Sequence, residues 1–116
     1  MSINEAIDLV CKSMELDIDI LTCPNKCKQT KRYFEGRMVV TYIMRKQKQP
    51  MYFERIAFHL GRLYPNGKGD HAVTIRYYRI VQDLIFVNDK RFTKKLFPIL
   101  AEAGIDANRP TYITRN

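Results

Sequence analysis

One short segment of the chain carries side chains whose types and spacing suit contact with nucleic acid. In DHAVTIRYYRIVQDLIF, Asp70 and His71 come first, and Arg76 and Arg79 follow within the next helical turns. A carboxylate accepts hydrogen bonds from base amino groups, an imidazole bonds to base edges, and guanidinium groups bind phosphate. The four side chains are therefore equipped to read base edges and to hold a phosphate backbone.

A predicted helix over residues 70–86 would position these side chains. Asp70 is a good N-cap, because its carboxylate can accept the free backbone N–H bonds of the first turn and oppose the positive end of the helix dipole. The spacing predicts an inward stripe of Thr74, Tyr77, Tyr78, Val81, Leu84 and Ile85. It predicts an outward face that carries His71, Ala72, Ile75, Arg76 and Arg79.

A shorter predicted helix precedes this one. Pro50 can open it, since proline lacks the N–H that a first helical position does not use, and Gly61 ends it. Its inward residues at i, i+3, i+4 and i+7 are Phe53, Ile56, Ala57 and Leu60. Two helices joined by a glycine-rich turn indicate a helix-turn-helix between residues 51 and 86. The alternative interpretation is an ordinary helix pair in which Asp70 is only a cap beside a solvated histidine.

The turn between these helices, RLYPNGKG, contains the good turn sequence Pro65-Asn66-Gly67. It is either a basic wing that touches phosphate through Arg62 and Lys68 or a tolerated surface insertion, and we favour the insertion.

The remaining segments also predict helices, so the fold class is all-α with five to six helices. Ser2 and Glu5 form a capping box for a helix to about Glu15, and Asp17 caps a short helix that ends at Leu21. A third helix covers about residues 32–47, with an inward stripe of Gly36, Val39, Val40 and Ile43. A last helix is capped by Asn88, ends at Gly104, and turns Phe92, Leu96, Ile99 and Leu100 inward and Lys94 and Lys95 outward. We expect one domain over residues 1–105 and an extended tail over 106–116.

Positive charge is concentrated just before the predicted helix-turn-helix. The net charge is +8, from 20 basic and 12 acidic side chains, and residues 26–48 contain eight bases and one acid. A local excess of this kind attracts polyanions. Alternatives are a solvated basic face, an acidic protein partner or lipid headgroups, but the position beside residues 51–86 favours nucleic acid.

Three blocks of the sequence resemble the DNA-binding domain of the DnaA bacterial replication initiators. GDHAVTIRYYRIV is similar to the family signature G-R-D-H-[ST]-T-V-[LI]-x-A-x-[RK]-K-[IV]. IAFHLG and RMVVTYIMR are similar to two upstream family motifs, in the same order and at about the same spacing. The residues in register with the signature are Asp70, His71, Ile75, Arg79 and Val81.

The resemblance implies binding of double-stranded DNA, with helix 70–86 in the major groove. It implies base reading by Asp70, His71, Ala72 and Ile75. It implies phosphate or minor-groove contacts by Lys28, Lys31, Arg37, Arg45, Arg76 and Arg79. Ala72 replaces a hydroxyl or small residue that contacts a base in the family, and Gln29 stands near the family's minor-groove arginine. These departures imply a sequence preference that differs from that of the initiators. We expect a monomer or weak dimer.

The resemblance does not extend to the initiators' ATPase, because the chain has no G-x-x-x-x-G-K-[ST] motif. A stand-alone DNA-binding domain with a role in replication or transcription fits best. The alternative is a protein-interaction module whose basic face binds an acidic replication or regulatory partner.

An enzyme, a cofactor and a metal site are not expected. His59 has no identifiable carboxylate or nucleophile partner, and the C-x3-C pair Cys23 and Cys27 supplies too few ligands for structural zinc. We interpret both as reduced cysteines in a loop, although Lys26 and Lys28 would favour a reactive thiol. No apolar run is long enough to span a bilayer and the N-terminal segment is acidic, so we expect no membrane association and a cytoplasmic location.

Overall fold

Six α-helices make up the fold in residues 1–24 and 30–106, the parts of the chain that the computed structural model describes. They are α1 (Ile3–Met14), α2 (Ile18–Leu21), α3 (Lys31–Arg45), α4 (Phe53–His59), α5 (His71–Phe86) and α6 (Lys90–Glu102). Within the same residues β-structure is limited to an isolated bridge between Leu63 and Gly69. The predicted all-α class with five to six helices is confirmed.

Side-chain caps fix the first two helices where the sequence predicted them. The Ser2 hydroxyl accepts from the Glu5 backbone N–H at 3.1 Å, and the Glu5 carboxylate accepts from the Ser2 N–H at 2.9 Å. The Asp17 carboxylate accepts from the Asp19 N–H at 2.8 Å and begins α2. These bonds satisfy backbone donors that a helix N-terminus leaves free.

Two predicted helix starts are wrong by one to three residues. Helix α4 begins at Phe53 rather than at Pro50, because Met51 is held at the end of α3: its N–H donates to the Met44 carbonyl at 3.2 Å and its carbonyl accepts from Arg45 at 3.0 Å. Helix α6 is capped by Asp89 rather than by Asn88. Asn88 instead has a φ of 53°, a left-handed conformation that asparagine tolerates better than most residues.

Helix α3 is the centre of the fold, with α1, α2, α4 and α5 packed around it. The predicted inward stripe of Gly36, Val39, Val40 and Ile43 is buried, as expected. Burial nevertheless extends to every residue from Gly36 to Arg45. A helix with neighbours on all sides buries its whole circumference, whereas an amphipathic surface helix buries one stripe.

Helices α4 and α5 pack through the apolar faces that the sequence predicted. Phe53, Ile56, Ala57 and Leu60 of α4 are all buried. On α5 the buried residues are Thr74, Tyr77, Tyr78 and Val81, while Leu84 and Ile85 are half-buried. Tyr78 joins three helices, because its ring stacks on Tyr42 of α3 at 5.3 Å and contacts Phe53 of α4 edge-on at 5.9 Å.

Helix α6 closes the core against α1 and α5. Its predicted inward residues are buried and its predicted outward lysines, Lys94 and Lys95, are exposed. Lys95 pairs with Glu35 of α3 at 3.4 Å. Of the predicted tail, residues 107–116 lie outside the described residues. Among the helices of the described ranges, none combines the length and apolar character that crossing a bilayer requires.

Candidate nucleic-acid interface

The first turn of α5 is capped and exposed. The Asp70 carboxylate accepts from the backbone N–H groups of Ala72 at 3.1 Å and Val73 at 3.4 Å, so it is the predicted N-cap. His71 and Ala72 are exposed beside it, and Ile75 is half-buried. The structure thus brings the four candidate base-reading residues together at the N-terminal end of one helix.

Arg76 and Arg79 continue this exposed face along α5. Their guanidinium groups carry the positive charge of the face, and α5 turns its buried residues, among them Tyr77 and Val81, to the opposite side. The predicted division of α5 into an inward and an outward face holds except at Ile75, which was predicted to face outward but is half-buried and packs against the core.

Thr74 fixes the start of α5 against α4. Its hydroxyl is completely buried and lies 2.9 Å from the Phe53 carbonyl oxygen of α4 and 3.1 Å from the His71 carbonyl oxygen. A buried hydroxyl needs such a partner, because an unsatisfied one costs free energy. This bond between the two helices sets the position from which the exposed turn of α5 projects.

The turn that joins α4 to α5 is closed by backbone hydrogen bonds. The Tyr64 N–H donates to the Lys68 carbonyl at 2.8 Å, and the Asp70 N–H donates to the Arg62 carbonyl at 2.8 Å. The turn also rests directly on α4, since a Cβ on Gly69 would lie 1.9 Å from the Glu54 carbonyl oxygen. The extended turn is therefore packed against the helix pair.

Tyr64 connects this turn to the candidate base-reading residues. Its hydroxyl lies 3.3 Å from Nδ1 of His71, and the two rings meet edge-on with centroids 6.1 Å apart. Partial desolvation, followed by the Asp70 carboxylate, raises the pKa of Tyr64. Sequence analysis missed Tyr64, because nothing in RLYPNGKG indicates that the turn folds back onto His71.

Arg37 does not lie on the surface of α3, so its guanidinium group is not open to the phosphate contact that the resemblance implied. The side chain is completely buried. Its Nε donates to the Leu21 carbonyl at 2.9 Å and its Nη2 donates to the Ile20 carbonyl at 3.0 Å. Carbonyls at the end of a helix lack intrahelical partners, and the guanidinium fork supplies donors to two of them in α2. Burial, and then the nearby Arg62, lowers the pKa of Arg37.

Arg45 and Arg62 are also buried, at 3% and 6% exposure, so neither guanidinium group is open to phosphate in this structure. Arg45 donates to the Met51 carbonyl and lies over the Phe53 ring at 4.2 Å, a cation–π arrangement. Arg62 donates to the carbonyls of Leu60 and Cys23. Both guanidinium groups join chain segments to one another inside the fold.

The basic segment 26–48 is consequently less available than its charge count suggested. Arg37, Arg45 and Lys46 are buried. Arg32 is exposed, but it donates to the Met14 and Glu15 carbonyls at the end of α1. Residues 25–29, which include the predicted minor-groove residue Lys28 and the noted Gln29, lie outside the described residues.

Two grooves contain exposed basic side chains that could contribute to the interface. Lys31, at the start of α3, is exposed and lines a groove with Ile80, one helical turn after Arg76. Arg55 of α4 and Lys68 of the turn line a second groove that also contains Phe58, whose side chain is 57% exposed. Sequence analysis missed Arg55 and Phe58, although both fall outside the apolar stripe of α4.

Cys23 differs from its predicted reduced state. Cys23 is disulfide-bonded, so its interpretation as a reduced cysteine is wrong, and Cys27 lies outside the described residues. Cys11 is a free, buried thiol on α1, and burial followed by the charges of Asp8 and Asp17 raises its pKa to about 11. Over residues 1–24 and 30–106, no group of three or more His, Cys, Asp or Glu side chains forms a possible metal site.

Comparison with known proteins does not place the chain in a family. No family model matches it, and neither the curated proteins nor the solved structures contain a match.

Proposed function

We propose that this protein binds double-stranded DNA through a helix-turn-helix formed by α4 and α5, with α5 as the recognition helix. The observation that carries the proposal is the exposed face of α5. This face begins at the capped first turn with His71 and Ala72 and continues through Arg76 and Arg79. Base-reading and phosphate-binding groups thus project from one rigid helix.

The dimensions and polarity of α5 suit the major groove. Its 16 residues make a helix of about 24 Å, and the B-DNA major groove is about 12 Å wide and admits one helix. Recognition helices of this motif contact base edges with their N-terminal residues. Asp70, His71, Ala72 and Ile75 occupy that end of α5. The Ala72 methyl group is suited to contact with a thymine methyl group.

The phosphate contacts in this proposal come from exposed basic side chains on α5, at the start of α3, on α4 and in the α4–α5 turn. Arg76 and Arg79 lie on α5 itself, Lys31 lies beside Ile80, and Arg55 and Lys68 flank the groove next to the turn. Such contacts supply much of the affinity of DNA-binding proteins and weaken as salt rises. Arg37 and Arg45 take a structural role, since their guanidinium groups bond inside the fold.

The resemblance to the DnaA DNA-binding domain supports the same proposal and suggests a role in replication or transcription, without ATPase activity. The resembling blocks fall on α3, on α4 and its C-terminal end, and on α5 as far as Val81.

Fluorescence anisotropy tests the proposal directly. The protein is titrated with a random-sequence duplex pool and with a duplex that carries a DnaA box, each at two salt concentrations. We expect binding that weakens strongly with salt, followed by enrichment of a preferred site in sequence selection. His71→Ala should lower the preference for the selected site, while Lys94→Ala on α6, an exposed lysine outside the proposed interface, should leave it unchanged. Absence of binding to either duplex at low salt would reject the proposal.

An interaction module that binds an acidic protein is the second candidate function. The observation in its favour is Ala72, which offers no hydrogen-bonding side chain at an exposed position in the first turn of α5. In that case the exposed basic residues would bind an acidic surface, and His71→Ala would leave the complex nearly unaffected. A pull-down with wild-type protein and His71→Ala, repeated with nuclease treatment, distinguishes the two functions.

A further inference from the structure

We propose that the groove between α4 and the α4–α5 turn binds an unpaired nucleotide, with the base stacked on Phe58 and the adjoining phosphates held by Arg55 and Lys68. The inference rests on the proposed function, which already assigns these two cations to phosphate. It adds a single-stranded segment to the DNA that the protein recognises, so that the preferred ligand has unpaired nucleotides beside a duplex.

Phe58 is an exposed aromatic ring in a groove of about 420 Å³. Helix α4 buries Phe53, Ile56 and Ala57 against the fold, whereas Phe58 lies outside this apolar stripe. The ring of His59 meets that of Phe58 at an angle of 87°, with centroids 5.8 Å apart. The two rings are perpendicular rather than stacked, and more than half of Phe58 stays accessible to a planar base.

The same groove carries positive charge that is free for a ligand. Arg55 and Lys68 are exposed, and neither pairs with a carboxylate of residues 1–24 or 30–106. Glu54 contributes a single negative charge against these two cations. Surfaces that bind single-stranded nucleic acid combine aromatic rings, on which bases stack, with basic side chains that follow the phosphates. The charge and the exposed ring together therefore fit a single strand.

The exposed face of α4 extends this combination beyond the groove. Tyr52 at the N-cap and Arg55 and Phe58 within the helix follow one another at intervals of three residues, and all three are exposed. Residues three apart are neighbours on a helix surface. A strand that runs along this face thus meets a ring, a cation and a second ring.

The α4–α5 turn places the groove next to the start of the recognition helix. Gly69 packs on α4 with no room for a side chain, since a Cβ there would lie 1.9 Å from the Glu54 carbonyl oxygen and 2.9 Å from the Phe58 backbone nitrogen. Hydrogen bonds to both its N–H and its carbonyl hold the backbone of Lys68. Asp70, the cap of α5, follows directly. An unpaired nucleotide in the groove therefore adjoins the proposed base-reading turn.

Fluorescence anisotropy with three ligands tests the proposal: an oligothymidylate, a blunt duplex, and the same duplex with an oligothymidylate overhang. Wild-type protein should bind the overhang duplex more tightly than the blunt one. Phe58→Ala should bind the oligothymidylate and the overhang duplex about five- to a hundredfold more weakly, the range expected for one stacked base, and should bind the blunt duplex as wild-type protein does.

Phe97→Ala is the matched control, because Phe97 is 43% exposed on α6 and lies outside the groove. It should bind all three ligands as wild-type protein does. Equal affinity of wild-type protein and Phe58→Ala for the oligothymidylate, or no binding of it at low salt, would overturn the proposal.

Tryptophan fluorescence separates a stacked base from a phosphate contact. The chain contains no tryptophan, so Phe58→Trp places a single probe in the groove and Phe97→Trp places one outside it. A base that stacks on an indole quenches its emission. We expect the oligothymidylate to quench Phe58→Trp strongly and Phe97→Trp hardly at all, and inorganic phosphate to quench neither. Unquenched emission from Phe58→Trp at a saturating oligothymidylate concentration would overturn the stacking. A failure of wild-type protein to bind the blunt duplex, with Phe58→Trp still quenched, would instead reject the proposed function and retain the groove site.

Discussion

Helices α3 and α5 both carry arginines of the kind that contact nucleic acid, but the two arginines of α3 are buried and the two of α5 are exposed. Arg37 and Arg45 of α3 are 0% and 3% exposed, and their guanidinium groups donate to backbone carbonyls. Arg76 and Arg79 of α5 are exposed. The number of packing neighbours accounts for the difference, because α3 is enclosed by four helices while α5 leaves one face open.

The buried side chains of Arg37 and Arg62 show how an arginine can satisfy backbone carbonyls inside a fold. Arg37 and Arg62 donate to carbonyls at or just beyond the C-terminal end of α2, which has only four residues. So short a helix leaves most of its carbonyls without intrahelical donors. The guanidinium groups supply hydrogen-bond donors to some of these carbonyls. A positive charge also interacts favourably with the negative end of a helix dipole.

Removing the Arg37 side chain should have the largest effect on stability. Arg37→Ala leaves the Ile20 and Leu21 carbonyls without these donors and creates a cavity beside α2, so we expect a loss of about 3 kcal/mol or more. Arg79→Ala on the open helix should change stability by less than about 0.5 kcal/mol. Urea denaturation followed by circular dichroism measures both. Similar losses in the two variants would contradict the division between enclosed and open arginines.

The buried thiol of Cys11 on α1 predicts a loss of stability at high pH. The folded-state pKa of Cys11 is about 11, above the ordinary value of 9.0, so the folded protein holds this proton more tightly than the unfolded chain. Its contribution, up to about 2–3 kcal/mol, is present below pH 9 and is lost as the pH rises through 11. Denaturation across this range should show a steeper decline for wild-type protein than for Cys11→Ala. Parallel curves would exclude a contribution from the thiol.

Two buried threonines provide a matched comparison of hydrogen bonds in α3 and α5. The Thr74 hydroxyl bonds to the Phe53 carbonyl of another helix, whereas the Thr41 hydroxyl bonds at 2.8 Å to the Arg37 carbonyl of its own helix. Thr74→Val should cost about 1–1.5 kcal/mol. Thr41→Val should cost less, because the Arg37 carbonyl lies within the helical hydrogen-bond ladder. Thermal denaturation of both variants checks the order, and a larger loss for Thr41→Val would contradict it.

Substituting the exposed arginines Arg76 and Arg79 should weaken DNA binding with little change in the free energy of unfolding. Arg76→Ala and Arg79→Ala should each weaken binding about equally for all sequences and reduce the slope of log K against log salt by about 1. Anisotropy titrations at several salt concentrations give this slope, with Lys94→Ala as the exposed control on α6. An unchanged slope in both arginine variants would remove them from the interface.

The sequence alone determined much of the helical framework. Ser2, Asp17 and Asp70 were identified as caps because each has a side chain that bonds to the next backbone N–H groups, a local interaction. The inward faces of α4, α5 and α6 followed from apolar periodicity. The exposed face of α5 could likewise be predicted, since periodicity divides a helix into two sides when it packs on one.

The tertiary structure decided what periodicity cannot express. The burial of Arg37 and Arg45 depends on four helices that surround α3, and a one-dimensional pattern does not record how many neighbours a helix has. The starts of α4 and α6 depend on bonds from Met51 to the end of α3 and on the left-handed Asn88. The contact of Tyr64 with His71 depends on a turn that closes and packs on α4. Local bonds are encoded by neighbouring residues, whereas these contacts join groups that only the folded chain brings together.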